Sequence, residues 1–129
     1  MRGSRARGRC VSMTTVQAPA SRLEIPKHFG RRPDAVFLPA SSLEEQALTE
    51  AARVQHHAAV AVLDELARRD LSMAWLAGEL GENADHLRRK LYGQVSANLR
   101  DLCTWGARLG IATVLPATQD VARLVEATL

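Results

Sequence analysis

Two cysteines in 129 residues, Cys10 and Cys103, are too few for a disulfide framework and fit a reducing compartment. Aromatic residues make up only 4% of the chain against 47% apolar residues, so a core has to be assembled from leucine, valine and alanine. That palette suits packed helices better than a β-sandwich. No run approaches the ~18 consecutive apolar residues of a membrane-spanning helix. The opening MRGSRARGRCVSM is basic but leads into no apolar stretch, which argues against a secretory signal, and Met13 is an alternative start to Met1. Nothing forms a Gly-rich phosphate loop or pairs a nucleophile with a base. His56-His57 and His86 have no second ligand cluster at metal-binding spacing. The sequence therefore predicts no enzyme, no metal and no cofactor.

Acidic charge is scarce at one end only. Residues 1–42 hold eight Arg and Lys against Glu24 and Asp34, a net +6, whereas residues 43–129 hold nine against twelve acids, a net −3. The overall +3 thus hides a basic N-terminal part and a mildly acidic remainder. A basic arm fits a nucleic-acid partner, and equally a solvated tail.

Residues 1–41 are rich in Arg, Ser, Gly and Pro, with no recurring apolar period, and read as a basic, mostly disordered arm. Within it Ala35-Val36-Phe37-Leu38 is an apolar patch able to dock on a domain or to form a short extended piece. The compact region is expected over 42–115. Ser41 or Ser42 caps a helix whose first turn carries Glu44 and Glu45. Leu43, Ala47, Leu48, Ala51, Val54, Ala58, Ala61, Val62 and Leu66 then keep helical spacing to Arg69. This is one long helix, 43–69, or two with a break at His56-His57. Ser72 caps a second helix, 73–80, and Gly81 turns the chain. Asn83 caps a third, 84–92, closed by Gly93. Asn98, three residues before Asp101, opens a fourth that ends at Leu109 before Gly110. After Pro116, Val121, Leu124 and Val125 predict a short last helix within 116–129. Leucines four apart on helices two and three (Leu76/Leu80, Leu87/Leu91) meet a stripe of Leu99, Leu102, Trp105 and Leu109, with Cys103 as a small buried apolar residue.

The row from Ser72 through Leu76-Ala77, Gly81, Leu87 and Gly93 to Leu109-Gly110-Ile111 resembles the phage-repressor (Cro/CI, XRE-like) helix-turn-helix family, over residues 58–111. The resemblance implies an all-α, lambda-repressor-like helix-turn-helix domain of four to five short helices, with its helix-turn-helix at 72–92 and closing helix at 98–109. It implies a double-stranded DNA-binding transcriptional regulator that inserts helix 84–92 into the major groove. By position, Ala84, Asp85 and Arg88 would face base edges: Arg can pair bidentately with guanine, and Asp can accept from the cytosine amino group. Ser72, Arg89, Lys90, Tyr92, Gln94 and Arg100 would lie along the phosphate backbone. A homodimer through residues 43–62 or the C-terminal helix would read half-sites ~34 Å apart. Such a protein would be bacterial or phage-borne and cytoplasmic, nucleoid-associated when bound, with no membrane partner.

Two positions depart from the family pattern. Met73 stands where the family often has a glutamine that bridges to phosphate, and Glu82 follows the turn glycine where an apolar residue is usual. Together with Asp85 they keep an alternative open: a protein-interaction module or antitoxin-like partner with the same fold and little DNA binding.

Overall fold

The computed structural model describes residues 18–114, so the first part of the basic arm and the helix expected after Pro116 lie outside the described residues. The described chain is all-α: four α-helices and no strand, joined by short turns. Helix α1, Leu43–Arg69, is continuous through His56-His57. Its first turn is fixed by Ser42, whose hydroxyl accepts from the Glu45 amide, while the Glu45 carboxylate accepts from the Ser41 amide and hydroxyl. Those bonds, the amide first, hold the Glu45 carboxyl below its usual range. The helix ends at Asp70, which takes the left-handed conformation (φ 57°) that short polar side chains tolerate.

Helices α2 (Met73–Leu80) and α3 (Ala84–Leu91) follow, each capped by the expected side chain. The Ser72 hydroxyl accepts from the Trp75 amide, and the Asn83 carbonyl oxygen accepts from the amides of Asp85 and His86. Helix α4, Leu99–Leu109, opens with a reciprocal box in which Asn98 and Asp101 bond each other's backbone amides. Arg69, oriented by Glu65, donates to the Leu109 carbonyl and so ties the end of α1 to the end of α4. Leu66, Leu76, Ala77, Leu87, Leu91, Leu102, Trp105 and Leu109 form the core between the four helices. Two expected members stand outside it: Leu99 is 66% exposed in the first turn of α4, and Cys103 is exposed on that helix's outer face. Four residues apart, they share a stripe that flanks the buried row of Leu102, Trp105, Gly106 and Leu109.

The larger correction concerns residues 18–41, expected to be disordered. They form a strap across α1, made of two short 3-10 turns, Pro19–Arg22 and Pro26–His28, and an antiparallel bridge between Leu23 and Phe37. Leu23 and Phe29 are fully buried, and the apolar patch at 35–38 docks through the Glu24–Val36 and Leu38–Arg22 backbone bonds, both 2.8 Å. The strap has no period because its side chains enter the core one at a time from turns. Against expectation, the first half of α1 turns Thr49, Ala52, Gln55 and His56 inward, while Leu43, Ala47, Ala51 and Val54 of the expected stripe are exposed and Leu48 is half-buried.

His56 fastens the strap. Its ring is fully buried: Nδ1 accepts from the Gly30 amide at 2.9 Å, so Nε2 carries the proton and donates to the Arg32 carbonyl, also at 2.9 Å. Phe29 and Phe37 stand edge-on to the ring, at 5.2 and 5.7 Å. Beyond it the strap closes on the end of α3. Gly93 (φ 73°) has its Cα so near Phe29 that a Cβ there would meet the ring at 2.6–2.8 Å, and a Cβ on Gly30 would run into the Leu91 carbonyl oxygen.

Two outcomes follow from this packing. Gly81 and Gly93 are both left-handed, but only Gly93 is crowded. Gly81→Ala is expected to cost about 1–2 kcal/mol, and Gly93→Ala a further ~1–3 kcal/mol for overpacking; urea titration of the two variants checks the order. For His56, burial first and the neighbouring His57 second push the pKa below the ordinary 6.5, against the opposing Arg32 bond. A depressed histidine favours the fold in its neutral form, so this stabilisation is complete above pH 6.5 and is lost as pH falls through the lower folded value. An NMR titration should place the His56 midpoint below 6.5; a midpoint at or above it would mean that the Gly30 bond does not hold the ring neutral.

Candidate functional site

Helix α3 has two sides of opposite chemistry. Leu87, Lys90 and Leu91 turn inward, while Ala84, Asp85, Arg88 and Arg89 are exposed, and the half-buried Tyr92 follows as the helix's C-cap residue. Residues 85, 88, 89 and 92 follow the spacing that puts side chains on one helical stripe. The Asp85 carboxylate joins two of them: Oδ1 takes Arg88 Nη2, and Oδ2 lies 3.1 Å from Arg89 Nε. Both guanidiniums remain about half exposed. At the far end of the stripe the Arg31 guanidinium of the strap stacks over the Tyr92 ring, 4.0 Å from its centroid.

The structure thus brings Asp85, Arg88, Arg89 and Tyr92 together. Ala84 sits beside them at the exposed first position of the helix. Ser72, Gln94 and Arg100 are exposed on neighbouring segments, and their side chains make no hydrogen bond or ion pair with the stripe. The Ser72 hydroxyl is engaged as the cap of α2.

Lys90 departs from its expected place on the phosphate-facing side. It is 8% exposed, with Nζ 3.3 Å from Asp101 Oδ1 and 3.7 Å from Glu82 Oε1. One position past Arg89 the helix has rotated Lys90 inward beside Leu87, three residues earlier. This ties α3 to the first turn of α4 and explains the acid after the turn glycine, since Glu82 is the second partner of the buried ammonium. Met73, the other departure, packs half-buried against the core.

Sequence reasoning missed Gln55, whose Nε2 donates to the carbonyls of Lys90 (2.7 Å) and Val95 (3.0 Å) while its Oε1 accepts from the Ala97 amide (2.9 Å). The available signal was periodic. Gln55 and His56 interrupt the stripe of Ala52, Ala59, Val62 and Leu66 with polar side chains, and a polar residue on a buried stripe needs partners.

Among the described residues no group of three or more His, Cys, Asp or Glu could hold a metal ion, and no helix is long and apolar enough to cross a membrane. A shallow apolar groove of about 490 Å³ on the outer face of α4, from Cys103 to Val114, carries no charged lining.

Lys90→Ala leaves Glu82 and Asp101 facing each other without their cation. It is expected to destabilise the fold by about 1–3 kcal/mol, whereas Arg89→Ala on the exposed stripe should change stability by less than about 1 kcal/mol. Thermal melts of the two variants compare them directly.

No family model, no curated protein and no solved structure matches the chain, so its own residues carry the argument about function.

Proposed function

We propose that the chain is a sequence-specific double-stranded DNA-binding transcriptional regulator, with a lambda-repressor-like helix-turn-helix frame whose α3 enters the major groove. The observation that carries this reading is the division of α3. One side is locked by Leu87, Lys90 and Leu91, and the other offers an outward stripe with two exposed arginines. A helix with its side chains is about 10–12 Å across, the dimension that must fit a major groove ~12 Å wide, and the eight residues of α3 expose one side for that contact. In the bound state Arg88 would exchange its Asp85 oxygen for a base edge, and Arg89 would exchange its own for a phosphate. Exposed ion pairs are worth about 0–1 kcal/mol, so that exchange is easily driven. Ala84 leaves space at the start of the helix, and the exposed Ser72, Gln94 and Arg100 would meet the backbone at the edges.

A second reading, a protein-interaction or antitoxin-like module on the same frame, is favoured by two observations. Asp85 already pairs with both arginines and offsets one of their two charges, and Trp75 on α2 is 36% exposed.

Selection of bound sequences from random duplexes, followed by gel shifts on the enriched sites, separates the two. Arg88→Ala is expected to weaken the selected site by ~10-fold or more and to relax its base preference. Arg89→Ala should weaken all duplexes alike and lower the salt slope by about one. No shift at low salt, or shifts unchanged by both substitutions, would favour the protein-interaction reading.

A further inference from the structure

We propose that Arg31, carried by the strap rather than by α2 or α3, is a phosphate-contacting residue of the same duplex surface. The inference rests on the duplex-binding reading above, and its starting point is the Tyr92 ring. Tyr92 follows Arg88 and Arg89 on the outer stripe of α3, and the guanidinium stacked over it extends that stripe beyond the end of the helix.

The chemistry of Arg31 differs from that of its neighbours. Stacking covers one face of the guanidinium and leaves its N–H edge open. Of its five donors, one is used: Nη1 donates to the Lys27 carbonyl at 2.9 Å. Among the described residues no carboxylate lies within ion-pair distance of it, and the acid nearest in sequence, Asp34, pairs with Arg32. Arg88 and Arg89, by contrast, share Asp85. The least neutralised guanidinium on the stripe is therefore the one the strap supplies. Exposed Lys27, four residues earlier, also has no ion-pair partner among the described residues and adds to the same field.

Arg31 is also held in place. Its own amide donates to the His28 carbonyl at 3.0 Å, the Gly30 amide before it is bonded to His56, and Phe29 is packed on Gly93. A guanidinium fixed by its backbone and by a ring loses little freedom on meeting a ligand. Its planar fork matches the paired oxygens of a phosphodiester. A phosphate contact of this kind adds affinity without sequence preference and releases counterions.

The test is fluorescence anisotropy on a labelled pool of mixed-sequence duplexes over a salt series, using the full chain and four variants: Arg31→Ala, Arg31→Lys, Tyr92→Leu and Arg89→Ala. Circular dichroism melts establish that each is folded at the assay temperature. Arg31→Ala should weaken binding ~5-fold for every duplex and reduce the salt slope by about one. Arg31→Lys should restore the slope but not all of the affinity, since the charge stays and the fork is lost. Tyr92→Leu should lower affinity with the slope nearly kept, because the cation remains but is released from its ring. Unchanged affinity and slope in Arg31→Ala, beside weakened binding in Arg89→Ala, would overturn the role of Arg31 and leave duplex binding standing. If the parent chain binds no duplex even at low salt, the DNA reading fails and the role of Arg31 fails with it.

Discussion

Inside α1, on a stripe otherwise made of Ala52, Ala59, Val62 and Leu66, two adjacent polar side chains bond to the backbone of two different segments. His56 takes the Gly30 amide and gives to the Arg32 carbonyl; Gln55 gives to the carbonyls of Lys90 and Val95 and takes the Ala97 amide. Such bonds contribute modestly when made, but leaving one partner buried and unpaired costs about 1–3 kcal/mol. The pair therefore acts less as a source of stability than as a constraint. The strap and the α3–α4 connection each have one position in which every polar group is satisfied, and both positions are referred to the same turn of α1.

The orientation of α3 follows from that constraint. Its C-terminal end is gripped on three sides: Gln55 holds the Lys90 carbonyl, the Lys90 ammonium reaches Asp101 at the start of α4, and Phe29 closes over Gly93. With Leu87 and Leu91 buried as well, the helix cannot roll about its axis without breaking a core contact or stranding a charge. Its N-terminal end is held only by the turn and the Asn83 cap and stands free. This division, one end clamped and the other presented, sets the outer stripe at a fixed angle to the rest of the molecule.

Much of this was legible in the sequence, and the misses share a cause. Helices α2, α3 and α4 fall within one residue of their expected bounds, because Ser72, Asn83 and Asn98 are strong caps and Gly81 and Gly110 strong stops. The outward placement of Asp85, Arg88 and Arg89 follows from helical spacing once Leu87 and Leu91 are taken as buried. Lys90 was misread because three consecutive basic residues look alike as a run, although a helix turns each by ~100°. The strap was misread because its contacts with α1 lie far apart in the chain, as from Gly30 to His56, and disorder was inferred from local composition alone. Pro26 and Gly30, which count toward a disordered composition, are here the residues that let the chain turn and approach α1 closely.

The charge balance on α3 bears on selectivity as well as affinity. A stripe of two bare arginines would attract any polyanion through long-range, non-specific forces. Asp85 cancels part of that field while keeping both guanidiniums at the surface and pre-aligned, and its pairing is weak because all three groups are about half exposed. In the proposed function, a polyanion that offers only diffuse charge gains little over Asp85, whereas a duplex that offers a guanine edge to Arg88 and a phosphate to Arg89 replaces both partners at once. A carboxylate on the outer face of α3 is then a device that lowers affinity for the wrong polyanion more than for the right one. In the same proposal Arg31, which is not paired with Asp85, would supply the sequence-independent attraction from the edge of the surface, where it would not dilute the discrimination at its centre.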